Sequence, residues 1–155
     1  MTDPGLGRAL ALVKTNKFGA LGTIARDGGH PFTSLVAYAL VGGAPVLLLS
    51  ELAEHTQNLR ADPRSSLLVA EEAGDDALAR GRVTLVGRSA LVPADGVEAA
   101  YLAAHAQASG YLALKDFRFW RLEVESVRHV GGFGRMGWVS GADWTHENLE
   151  AERGR

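Results

Sequence analysis

The chain has 155 residues, of which 46% are hydrophobic and 22% charged, with a formal net charge of −2 and no cysteine. This is an ordinary soluble composition for one domain of 1–155, and it excludes disulfides, thiolate nucleophiles and cysteine-based zinc or iron–sulfur sites. No basic block points to nucleic acid, no apolar segment is long enough to span a membrane, and no signal peptide is evident, so cytoplasmic residence is the default expectation.

Asp3-Pro4 suits the start of a helix that runs through Leu10 and Val13 to Lys14, because proline is tolerated in a first turn and lysine suits a last one. Phe18–Ala25 reads as a strand with Phe18, Ala20, Gly22 and Ile24 on one face. Arg26-Asp27-Gly28-Gly29 is a turn, Phe32–Leu40 is the next strand, and Gly42-Gly43 turns the chain into Val46–Leu49. Leu52–Ala61 has helical propensity and stops at Asp62-Pro63, before the short strand Leu67–Val69.

Glu71–Ala79 is an acidic surface loop. Arg82–Val92 is a strand in which Gly87 suggests a bulge, and Pro93 ends it. Asp95–Ala108 is expected to be one helix capped by Asp95, with Gly110 past its end. Phe117–Val130 is the last strand, placing Trp120, Leu122 and Val124 opposite Arg121, Glu123 and Glu125. Gly131-Gly132-Phe133-Gly134 makes a bend anchored by Phe133, and an amphipathic tail with Trp138 and Trp144 ends in a charged segment, 145–155. Six strands joined mostly by hairpins, with few helices and no βαβ rhythm, predict a mainly β, six-stranded antiparallel barrel with its core at about 8–140.

The polar groups gather between two short strands. Ser50, His55, Thr56 and Asn58 surround the start of a short helix, where backbone amides and side-chain donors suit a phosphate. Ser50 and Glu51 also suit plain capping. Arg64 and Arg82 begin strands and are either fixed anion or ring contacts or solvated side chains. Ser34 lies within an apolar strand, where its hydroxyl reaches a flat heterocycle or bonds its own sheet. His30, His55, His105, His129 and His146 show neither HxH nor HExxH spacing, so no metal site is expected from spacing. His105 is expected to pack or cap locally, and His146 sits in the tail, as a solvated side chain or an axial haem ligand reaching a neighbouring subunit. The glycine-rich bend lacks GxGxxG spacing, and Ser65-Ser66 has no nucleophile-elbow motif, so any enzymatic reactivity is expected to come from a cofactor.

The segments SLVAYAL at 34–40, LLLSELAEHTQNLRADPRSSLLV at 47–69, RVTLVGRSALV at 82–92 and DFRFWRLEVESVRHVGGFGRMGWV at 116–139 resemble the pyridoxamine 5′-phosphate oxidase-like, FMN-binding split-barrel proteins, in the subgroup related to haem utilisation. The resemblance covers roughly residues 8–145. It implies a six-stranded split β-barrel that forms a homodimer with FMN at the subunit interface and turns over a small molecule. It implies that Ser50, His55, Thr56 and Asn58 grip the FMN phosphate, that Ser34 approaches the isoalloxazine, that Arg82 lies near the ring, and that Arg64 is a further anionic contact. The strongly basic pattern of pyridoxamine-phosphate oxidases is missing around 47–58, so the resemblance carries no such substrate. Three readings follow. The first is an FMN-dependent oxidoreductase. The second is a haem-binding or haem-degrading protein in which His146 ligates iron and Asp116 orients it. The third is a non-enzymatic split-barrel binding protein.

Overall fold

The computed structural model describes residues 3–72, 75–132 and 134–154. Helix α1 (Leu6–Thr15) buries Leu6, Ala9, Leu10 and Val13, the spacing of one helical face, and Lys14 stands in its last turn. It starts later than Asp3-Pro4 because the Asp3 carboxylate accepts the Gly5 N–H at 2.7 Å, which holds the chain in a turn first. Strands β1 (Phe18–Ile24) and β2 (Pro31–Ala37) form a hairpin across glycines with φ of 81° at Gly28 and 71° at Gly29. The expected single strand to Leu40 is instead divided, and β3 (Ala39–Val41) pairs with β4 (Ala44–Ser50). Tyr38 causes the division. Its N–H goes to Lys17 O, its carbonyl accepts from His105 Nε2 at 2.7 Å, and its phenol donates to Val13 O, so the chain leaves β1 there and joins β4.

Helix α2 (Glu54–Ala61), strands β5 (Arg64–Ala70) and β6 (Arg82–Leu91), strand β7 (Phe117–Val130) and strand β8 (Met136–Ser140) follow in order, with two further helices between β6 and β7. The sheet is antiparallel, with strand order β2-β1-β5-β6-β7-β4-β3 and β8 on the far half of β7. It curls into a half-barrel of eight strands, not the expected six. The split at Tyr38 adds one, and Met136–Ser140, expected in an amphipathic tail, adds the other.

The inner face carries Leu21, Val36, Leu47, Leu67, Leu85, Leu122 and Val127, with α1 filling the concavity. The outward set of β1 is the predicted Phe18, Ala20, Gly22 and Ile24, while Gly19, Leu21 and Thr23 are the buried ones. Gly87 marks the expected bulge. Val86 pairs with Ser126 and Gly87 with Val124, so Glu125 is the extra residue and the inward set passes from Leu122 to Val127. A Cβ at Gly87 would lie 1.8 Å from the Glu123 carbonyl oxygen, which leaves room for glycine alone.

The expected helix 95–108 is broken into α3 (Glu98–Ala104), a 3-10 turn (Ala106–Ala108) and α4 (Ser109–Leu112), with Gly110 inside the last. Asp95 does not cap α3: Gly96, at φ 85°, turns the chain between them, and Val97 is the cap residue. His105 is buried between Tyr101 and Phe18 and serves Tyr38, a packing role wider than a local cap. Beyond the bend at Gly131, the expected tail is a strand and a packed helix, α5 (Gly141–Arg153), capped by the Ser140 hydroxyl accepting Asp143 N–H. Phe133, expected to anchor the bend, lies outside the described residues.

Candidate functional site

Helix α2 begins at Ala53, with no side-chain cap, so Ser50 is not its cap. Ser50 Oγ instead donates to Asp116 Oδ2 at 3.1 Å and accepts Leu52 N–H at 3.2 Å, joining the ends of β4 and β7. Thr56 is fully buried and donates to Ser50 O at 2.6 Å. Asn58 is also fully buried; its Oδ1 accepts Arg26 N–H at 3.0 Å and its Nδ2 donates to Thr23 Oγ1 at 3.1 Å. These two side chains fasten α2 to β1 and β4, and their polar atoms face the protein.

His55 is placed differently. Its Nδ1 shares a proton with Ser34 Oγ at 3.1 Å, across from α2 to β2. Burial pushes the imidazole below its usual range, so the ring is neutral near pH 7. Ser34 therefore bonds neither its own sheet nor a free space but the one ring in reach. Arg64 is exposed and forks onto Asp62, with Nη2 to Oδ2 at 2.7 Å; that guanidinium holds the Asp62 carboxyl down at about 2. Arg82 pairs with Ala70, at the end of β5 remote from Arg64. At about 3.3 Å per residue, the length of β5 puts some 20 Å between Arg82 and the α2 end of the sheet. Of the seven residues expected around FMN, a single chain brings Ser34 and His55 into contact and Ser50, Thr56 and Asn58 into the α2 framework, while both arginines lie apart.

His146 lies on α5, which is packed against the sheet: Trp144, two residues earlier, has no exposed surface and donates from Nε1 to Gly43 O at 2.7 Å. Successive helical residues turn by about 100°, so burial of Trp144 directs His146 outward. His146 is exposed and borders a cleft of about 630 Å³ with Pro4, Leu6, Met136, Trp138 and Asp143. Among the described residues its imidazole has no hydrogen bond or ion pair. Within one chain Asp116 lies at the other end of β7 from this cleft: it adjoins Phe117 at the start of the strand, whereas Met136 of the cleft pairs with Val130 at its end. Asp143, three residues before His146 on α5, lies on the same helical face and lines the same cleft.

A second cavity of about 450 Å³ lies between α1 and the β7–β8 bend, lined by Arg8, Arg82, Arg135 and His129 among others. His129 Nε2 meets Asp3 Oδ2 at 3.0 Å, and this bond, followed by Gly5 N–H, holds the Asp3 carboxyl below the usual range. Sequence reasoning passed over Arg8, His129 and Arg135, since they share no motif and are joined only by the closing of α1 on the sheet. Among the described residues, no cluster of three or more His, Asp or Glu is disposed to hold a metal ion, and no helix is long and apolar enough to cross a membrane.

Comparison with known proteins places this geometry. The chloroplastic heme oxygenase HOZ of Arabidopsis thaliana is 35% identical over 129 residues, 81% of this chain and 39% of HOZ. A heme binding protein from Mycobacterium smegmatis superposes with a TM-score of 0.87 at 38% identity, over 94% of this chain and 62% of that one. The chain thus spans less than two thirds of either relative. A protein of the pyridoxinephosphate oxidase family related to general stress protein 26, from Clostridium acetobutylicum, shares the fold at 13% identity, with a TM-score of 0.71 over 93% of this chain and 99% of that one. The CREG, beta-barrel family model matches residues 7–146, nearly the whole chain, and this protein belongs to the CREG β-barrel family.

Proposed function

We propose that this chain binds haem through His146 and acts in its oxidative breakdown. The observation that carries the reading is the uncommitted imidazole of His146 beside a wide cleft of mixed polar and apolar lining, in a chain more than 30% identical to proteins named for haem. The residues present fit the group. An imidazole with no partner at either nitrogen among the described residues suits an axial ligand, and Met136 and Trp138, 55% and 62% exposed, offer the apolar surface a porphyrin covers. Asp143 on the same face suits the second ring nitrogen. Bound haem iron supplies the redox chemistry toward dioxygen; the chain's part is to hold the ring, to fix the imidazole and to limit water at the iron.

Homodimer formation belongs to the same proposal. Leu35, Ala20, Leu68, Thr84, Arg128 and Trp138 are successive cross-strand partners and form one row over the outer face of the sheet. Leu35 is 78% and Leu68 42% exposed, and Arg128 lies over the Trp138 ring at 5.5 Å. A row of this length with Leu35, Leu68 and Trp138 exposed along it suits a symmetric partner surface. Trp138 belongs to both the row and the cleft, so a dimer on this face sets the haem at the subunit boundary.

FMN has narrower support. The likeness to the pyridoxinephosphate oxidase family is one of fold, and Thr56 and Asn58 spend their polar atoms internally. Titration of the purified protein with haemin tests the main reading. Expected are saturable binding with a Soret band, a shifted band and weaker binding in His146→Ala, and loss of haem absorbance with release of iron when ascorbate is supplied in air. No saturable binding overturns the proposal, and an unchanged spectrum in His146→Ala removes that residue from it.

A further inference from the structure

We infer that the cavity between α1 and the β7–β8 bend binds an organic anion, a carboxylate carried on an apolar body, through Arg8 and Arg135. This site is separate from the His146 cleft, with which it shares only the wall made by Asp3, Pro4 and Met136, and it does not depend on the haem reading.

The charge balance inside the cavity points to an anion. Three arginines, Arg8, Arg82 and Arg135, line it against two carboxylates, Asp3 and Glu71. Both carboxylates are engaged: Asp3 with His129 and Gly5 N–H, and Glu71 by accepting Gly81 N–H at 3.1 Å. Arg82 Nη1 is fixed by Leu78 O at 3.2 Å and Arg80 O at 3.1 Å, which sets the plane of its guanidinium. Among the described residues, the guanidinium groups of Arg8 and Arg135 have no hydrogen bond or ion pair. Two guanidinium forks from separate segments, lining one space in which arginines outnumber carboxylates, are what an added carboxylate satisfies.

The rest of the lining selects the body of the ligand. The floor is apolar, formed by Ala9, Leu12, Val83 and Val130, and a volume of about 450 Å³ lies within the range of small-molecule sites. Among the described residues of the bend, two amides are already spent internally, Gly131 N–H on Arg135 O at 2.7 Å and Arg135 N–H on Gly132 O, so neither is left for a phosphate. Gly131 has a further part. A Cβ there would lie 2.5 Å from Arg8 Nη1, so the absence of a side chain lets the guanidinium lie over the bend.

Isothermal titration of the full chain with octanoate, octanol and inorganic phosphate tests the inference. Octanoate should bind, and octanol and phosphate at least tenfold more weakly. Arg8→Gln with Arg135→Gln should weaken octanoate about tenfold or more, the loss of a charge-assisted bond. Gly131→Ala keeps every charge but displaces Arg8, and should weaken octanoate as well. Circular dichroism verifies that the variants fold. His146→Ala should bind octanoate as the parent does, which separates this site from the haem proposal. Equal binding of octanol, equal binding of phosphate, or unchanged octanoate binding in the double arginine variant overturns it.

Discussion

Replacing Trp144 tests how α5 is held and, through it, where His146 stands. The indole is completely buried, its Nε1 donates to Gly43 O at 2.7 Å, and Asn148 Nδ2 returns to Trp144 O at 2.7 Å while its side chain packs on Gly43. A buried tryptophan removes about 200 Å² from water, which at about 25 cal/mol/Å² is on the order of 5 kcal/mol as an upper estimate. Trp144→Ala should therefore cost about 3–5 kcal/mol, much of the stability of a typical domain. Trp144→Phe keeps most of the apolar contact but leaves the Gly43 carbonyl without its donor, a loss of about 1–3 kcal/mol. With a urea slope of about 1–3 kcal/mol/M, the phenylalanine variant should unfold roughly 1 M earlier than the parent and the alanine variant earlier still. The phenylalanine variant, folded in buffer, should also bind haemin less tightly, because the same contact orients His146. An alanine variant within about 0.5 kcal/mol of the parent would falsify the view of α5 as a pinned helix.

Gly87→Ala should destabilise by more than about 2 kcal/mol in urea unfolding, since its Cβ meets the Glu123 backbone oxygen, whereas Gly110→Ala, with open space around it, should be neutral or up to about 1 kcal/mol stabilising. Leu35→Asp should shift the protein to monomer in sedimentation or light scattering without unfolding it, and an unchanged mass would remove the outer row as the dimer face. His55 should titrate below about 6.5 by NMR, because burial disfavours its cation. The unfolded chain takes up that proton first, so the stability it reflects is complete above about 6.5 and declines as pH falls through the lower folded value; His55→Asn should flatten this limb.

Local rules located most strands because period, turn glycines and proline stops act within a few residues. They failed where a distant group decided the outcome. Nothing in YAL at 38–40 announces that Tyr38 gives its N–H to Lys17, its phenol to α1 and its carbonyl to His105, yet those three bonds divide one strand into two. The bulge was legible as a glycine in a strand, but its effect, the change of inward set from Leu122 to Val127, depends on which partner takes the extra residue. The C-terminal segment was missed for a similar reason. Trp138 and Trp144 look alike in sequence, and only the outward edge of β8 and the Gly43 hairpin make one exposed and the other buried.

The site shows the same division more sharply. A polar cluster such as Ser50 to Asn58 reads as a ligand grip, but residue type does not tell whether hydroxyls and amides face a ligand or hold the helix in place. In this chain the fully buried Thr56 and Asn58 hold it, and the adjacent His55, turned about 100° away on the helix, alone reaches Ser34. His146 was legible as a candidate but not its neighbours within the chain, since Asp143 joins it only through the helix that 141–153 forms. Of the arginine cavity only Arg82 stood out in the sequence, as a candidate anion contact: Arg8, Arg82 and Arg135 come from a helix, a strand start and a bend, and only packing of α1 over the end of β7 makes them one charged surface. The contiguous cluster in this chain thus serves the fold's own hydrogen bonds, whereas His146, Arg8 and Arg135, whose side chains have no polar partner among the described residues, are available to a ligand.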